Sequence, residues 1–196
     1  YMEDYLRPAA ATAAISDDAV EIPAARLRSL TGIYARDITG APVAVALVDG
    51  RLSANGDALY ALSEREFAVG GDPEEVVRFE PASGGRNAVV RLSDGYETAR
   101  YAAVSPWAPS EADLREFVGT WYSEDAQTSY TITLEDGVLH RERYPNPNRG
   151  DLTPAAYADA FDRGTVRFHR DASGRVVEMS TYSGRVYDMR FARVER

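Results

Sequence analysis

The side chains able to do acid–base or metal chemistry are few. His140 and His169 are the two imidazoles of the 196-residue chain, and they fall in different predicted strands. An imidazole acts as a base or a ligand when a second group converges on it, and no pair of carboxylates has ligand spacing around either one. His169 follows Phe168 in an alternating segment, so with Phe168 directed inward it is predicted to face solvent; both histidines read as surface residues. The acidic doublets Asp17-Asp18, Glu74-Glu75 and Glu124-Asp125 lie in linker or turn positions, where solvated carboxylates are expected rather than an acid–base pair. Cysteine is absent, which removes disulfides, thiol nucleophiles and thiolate metal sites. All 22 basic residues are arginine. Without lysine there is no Schiff base, no phosphate-loop lysine and no Ser-x-x-Lys nucleophile pair. No catalytic residue, metal ligand or cofactor site is therefore expected in this chain.

A different kind of site is suggested by Tyr144-Pro145-Asn146-Pro147-Asn148-Arg149. Two prolines flanked by asparagines stiffen an exposed loop, and its aromatic, amide and guanidinium groups suit contact with another protein surface. Tyr144, Asn146, Asn148 and Arg149 are the candidate partner-contact residues, against the plain alternative of an ordinary hairpin connection. Arg149-Gly150-Asp151 spells an adhesion tripeptide, but three residues arise often by chance and this one carries no expectation. The aromatics Tyr34, Trp121, Tyr122, Tyr130, Phe168 and Phe191 suit either a ligand cavity or a packed core. Core is expected, because a narrow barrel of about 85 residues is usually filled by its own side chains.

The elements that must position these groups follow from composition and periodicity. With 44% hydrophobic and 27% charged residues the chain can bury one large or two small cores. A net charge of −9 opposes a phosphate backbone, so nucleic acid is not an expected partner. The longest nearly apolar run, Ala41 to Val48, is far short of the roughly 20 residues of a membrane helix, and no charged segment followed by an apolar stretch opens the chain. Tyr1, Met2, Tyr5 and Leu6 share a helix spacing that Arg7-Pro8 would end. Residues 1–7 are thus expected to be the stub of an upstream domain's last helix, and 8–21 a linker of small and polar residues. A second break falls at 105–110, where Pro106 and Pro109 exclude regular structure; Ser110 with Asp113 then resembles a capped short helix.

Laying one half over the other reveals a repeat. Leu27 to Leu52 aligns without a gap on Leu114 to Leu139 with seven identities in 26 positions, against roughly one or two expected from average composition. Val77-Arg78-Phe79 then meets Val166-Arg167-Phe168, Ser83-Gly84 meets Ser173-Gly174, and Arg100 to Val104 meets Arg190 to Val194. Residues 22–107 and 108–196 are the two expected repeats. Each reads as strands: Tyr130, Ile132 and Leu134 alternate with polar residues before the Asp136-Gly137 turn, and Val166, Phe168, Val177, Met179, Met189 and Phe191 continue the inward set. About eight short antiparallel strands per repeat, each repeat opened by a short helix, predict an all-β fold of two tandem meander barrels.

Gly119-Thr-Trp-Tyr-Ser-Glu124, Glu135-Asp-Gly-Val-Leu139, Leu152-Thr-Pro154, Asp159-Ala-Phe161, Arg170-Asp-Ala-Ser-Gly174 and Gly184-Arg-Val186 followed by Arg190-Phe191 occur in an order that resembles a known region. It is the lipocalin-like β-barrel region C-terminal to the catalytic domain in bacterial serine hydrolases of the β-lactamase and penicillin-binding type, including D-aminopeptidase-like members. The likeness covers about residues 22–196. It implies a non-catalytic accessory module that packs on an upstream hydrolase domain and shapes substrate access or oligomerisation, in a periplasmic or exported setting. The absence of lysine means that no family activity transfers to a residue of this chain. The alternative implied by the lipocalin comparison is a binding module for a small apolar or peptide ligand.

Overall fold

The computed structural model describes residues 20–82 and 85–194. The expected helix stub at 1–7, nearly all of the linker and the Ser83-Gly84 turn lie outside the described residues.

The described residues form two eight-stranded antiparallel barrels, each preceded by a short helix. In the first, α1 (Ala24–Leu30) leads into β1 (Gly32–Arg36), β2 (Pro42–Val48), β3 (Arg51–Ala54), β4 (Asp57–Ala61), β5 (Glu66–Val69), β6 (Asp72–Pro81), β7 (Asn87–Ser93) and β8 (Tyr96–Val104), which close in sequence order. In the second, α2 (Glu111–Arg115) precedes β9 (Gly119–Ser123), β10 (Thr128–Glu135), β11 (Val138–Tyr144), β12 (Arg149–Leu152), β13 (Ala160–Phe161), β14 (Val166–Arg170), β15 (Val176–Ser183) and β16 (Val186–Arg193). Their order is β12-β11-β10-β9-β16-β15-β14-β13. A single bridge between Pro154 and Phe161, flanked by hydrogen bonds from Ala155 N to Ala160 O (2.8 Å) and Asp162 N to Thr153 O (2.7 Å), nearly closes it.

Local chemistry sets these elements. At the β10–β11 turn both Asp136 (φ 50°) and Gly137 (φ 78°) take positive φ, the backbone whose twist matches that of the flanking strands. Ser110 caps α2: its hydroxyl accepts from Asp113 N while the Asp113 carboxylate accepts from Ser110 N at 2.7 Å. Inward residues of the first barrel, among them Leu30, Leu52, Leu59, Phe67 and Phe79, are at most 1% exposed. The second core is aromatic, with Phe117, Trp121, Phe161, Phe168 and Phe191 packed together. Phe117, Phe161 and Phe168 stand with ring centres 4.6 to 5.6 Å apart, a geometry worth about 0.5–1.5 kcal/mol per pair beyond burial.

The repeat in the sequence is a repeat in space. Tyr34 Oη donates to Leu30 O at 2.8 Å, and Trp121 Nε1, at the aligned position, donates to Phe117 O at 3.2 Å. One expectation is corrected: Val176, not Val177, turns inward. The register shifts between His169 and Arg170, so Arg170 pairs with Val176 (2% exposed) and Val177 is the extra residue of a β-bulge.

Packing divides the chain into two compact units. The first runs up to Tyr34 and resumes over Ala44–Ala103; the second takes Ala35–Val43 together with Val104 onward. Within the second unit Tyr157 Oη donates to Gly40 O at 2.7 Å, and the Arg167 guanidinium donates to Asp37 O and Ile38 O at 3.2 Å each. Gly164 lies so close that a Cβ there would stand 1.9 Å from Gly40 O, and its φ of +88° already disfavours a side chain.

Candidate functional site

The candidate loop joins β11 to β12. In the first barrel the equivalent strands β3 and β4 are linked by Asn55-Gly56 alone, whereas here β11 is longer and residues 145–148 intervene. Backbone and side chains tie the loop at its base. Arg143 N donates to Asn148 O at 3.2 Å, Arg143 Nε to Asn146 O at 3.5 Å, and Arg149 donates to the Glu135 carboxylate across the sheet at 2.6 Å. That bond, with the nearby Arg149 charge, holds the Glu135 carboxyl below the usual carboxylate range. All four candidate residues are exposed, Tyr144 with 70% of its surface open to solvent. Arg149 serves the sheet as well as the surface, which the sequence reading did not foresee. Glu135 lies fourteen residues away, and only the strand register brings the two together.

The histidines belong to two separate clusters on the outer face of this barrel. His140 Nδ1 meets Asp151 Oδ1 at 2.9 Å across β11 and β12. His169 is outward, as its alternation predicted, but half-buried: Nε2 lies 2.9 Å from Ser180 Oγ, and Ser180 is 1% exposed. The pairing of serine with histidine invites a nucleophilic reading, and the proton order argues against it. The Ser180 hydroxyl also helps to hold the Asp188 carboxyl low, and a carboxylate can only accept, so the hydroxyl hydrogen is drawn towards Asp188 rather than towards His169. A relay that activates serine runs the other way, with serine donating to an imidazole that a carboxylate orients.

Charges around Ser180 reinforce this. Burial acts to raise the Asp188 carboxyl, but the Arg190 hydrogen bonds and the Arg190 and Arg167 charges outweigh it and hold it low. Burial lowers the His169 imidazole, and Arg190 and Arg167 add to that, opposed by Glu178 and Asp188. His169 is thus biased towards its neutral form.

Of the aromatics weighed for a cavity, Tyr34, Trp121, Phe168 and Phe191 are core residues, at most 4% exposed. Tyr130 lines the inside of the barrel at the edge of that core. Tyr122 is on the outer face, 40% exposed. In the first unit a recess of about 210 Å³ is lined by Val20, Ile22, Leu27, Leu59 and Phe67 among others, smaller than the roughly 300 Å³ at which small-molecule pockets begin. Among the described residues no group of three or more His, Asp or Glu side chains has the geometry to hold a metal ion.

Sequence reading also missed two arginines. Arg141 and Arg143 of β11 pair with Ile132 and Tyr130 of β10, whose side chains are inward, so both point into the second barrel. Their place in an alternating strand opposite Tyr130 and Ile132 was the available signal. Comparison with protein-family models gives no match, and comparison with curated proteins finds no significant relative.

Proposed function

We propose that the chain is a non-catalytic accessory module of a serine hydrolase of the β-lactamase and penicillin-binding type, contacting its catalytic domain through the 145–148 loop and so shaping substrate access or oligomerisation. The hydrolase part of this reading rests on the motif resemblance. The observation that supports a contact role is the loop itself: it is longer than its counterpart in the first barrel, tied at its base, and presents Tyr144 to solvent. A loop held in place before binding loses less entropy on docking.

The test replaces 145–149 with a Gly-Ser turn in the polypeptide that carries this chain together with its natural upstream sequence. The reading expects lower kcat/KM on large substrates than on small ones, with both barrels still folded by circular dichroism. Unchanged kinetics on both, or an upstream sequence without a Ser-x-x-Lys helix, would overturn it. The isolated chain is expected not to be acylated by a β-lactam.

A further inference from the structure

Arg141 is placed where arginine is costly. Ile132, its partner across β10 and β11, is 1% exposed in the core, and the Arg141 side chain follows it inward with 27% of its surface left to solvent. Its guanidinium stands 5.2 Å from the centre of the Tyr130 ring, and that ring packs on buried Phe191 at 5.1 Å. The charge partner of Arg141 is Asp162, at 3.7 Å, beyond hydrogen-bond length. Asp162 has already committed Oδ1 to the Thr153 N–H at 3.1 Å. Two residues along the strand, Arg143 also points inward, opposite Tyr130 in the register, and its Nε donates to Asn146 O at 3.5 Å.

Two arginines, ten N–H donors in all, therefore share the inward face of β11 beside Tyr130, Arg141 over its ring and Arg143 opposite it in the register, and among the described residues their acceptors are Asp162 and the Asn146 carbonyl. Arginine forks match carboxylate geometry, and the face of Tyr130 offers an apolar wall. The charge decides the class of ligand: two guanidinium groups against one carboxylate leave a single positive charge, which one carboxylate neutralises.

From this we infer that the mouth of the second barrel, beside the 145–148 loop, binds a small organic monocarboxylate, its carboxylate held by Arg141 and Arg143 and its apolar body against Tyr130. The inference does not depend on the hydrolase reading.

The experiment titrates the full chain with acetate, benzoate and octanoate, with benzamide as the neutral counterpart of benzoate and inorganic phosphate as a second anion. Binding is followed by calorimetry and by the arginine side-chain N–H signals in NMR. Benzoate or octanoate is expected to shift the Arg141 and Arg143 signals, and to bind about ten-fold or more tightly than benzamide and phosphate. Affinity should fall about ten-fold or more in Arg143→Met and in Arg141→Gln, and stay unchanged in Arg65→Gln, a substitution in a turn of the first barrel. Arg143→Met keeps the test valid if Arg141→Gln fails to fold. Three results would each overturn the inference: no carboxylate shifting either signal, phosphate binding as tightly as benzoate, or undiminished benzoate binding in Arg143→Met.

Discussion

Tyr34 and Trp121 make one hydrogen bond with two different functional groups. A phenol hydroxyl in the first barrel and an indole N–H in the second each reach the carbonyl four residues back, at Leu30 and Phe117. Both rings are at most 2% exposed, so each bond satisfies a donor that water cannot reach and anchors the helix-to-strand turn. Tyr34→Phe and Trp121→Phe are each expected to destabilise the chain by about 1–3 kcal/mol, the cost of a buried carbonyl left without its donor. Urea unfolding followed by circular dichroism measures this; unchanged midpoints would show the bonds to be incidental.

Arg193 lies 5.2 Å from the Trp121 ring and donates to Val118 O at 2.6 Å and Val176 O at 3.1 Å. The aligned residue of the first repeat is Ala103, so this tie is private to the second barrel. Arg193→Met should lower stability by about 2 kcal/mol and alter the Trp121 fluorescence, since charge-assisted bonds are the stronger ones. Ala103→Gly, by contrast, has no such contact to lose.

Gly164→Ala should be among the most damaging small substitutions. It sets a methyl against Gly40 O at 1.9 Å and adds a side chain at φ +88°. A loss of about 2 kcal/mol or more is expected from strain and displacement together. Gly174→Ala, where φ is +85° and nothing lies within 4 Å of an added Cβ, separates the two effects. Equal losses in both variants would reduce the Gly164 effect to backbone strain.

His169 gives the stability of the second barrel a pH dependence. Its folded pKa is lowered from 6.5 by burial first and by Arg190 and Arg167 next, so the unfolded chain takes up the proton earlier. The stabilisation present above about pH 6.5 is therefore lost as pH falls through the lower folded value. His169→Gln should flatten the decline in urea midpoint between about pH 7 and 5, a window above the range in which ordinary carboxylates titrate. Identical slopes for the variant and the parent would contradict this.

Much of the fold was legible because β-structure writes a period of two into the chain. Tyr130, Ile132 and Leu134, and the Asp-Gly turns after β2 and β10, mark strand and turn directly. Val177 was misplaced because a bulge breaks the period without changing composition. The polar clusters were hidden for a different reason. Ser180 and Asp188, like Glu135 and Arg149, become neighbours only through strand register, and each residue alone reads as an ordinary outward polar group. Arg141 was hidden because a cation at an inward position contradicts the pattern used to find it.

The meeting of β12 and β13 at Pro154 and Phe161 makes the second barrel a rolled sheet with a seam, where the first is a continuous hoop. Two backbone hydrogen bonds, from Ala155 N and from Asp162 N, hold that line where a full ladder would run. A hoop can change its circumference only by breaking a ladder, whereas a roll joined by a single bridge has less to break there. Backbone amides at Ala155 and Asp162 should exchange with deuterium sooner than those of β9 and β10. Of two barrels built to one plan, the second is the one expected to open first, and along this line.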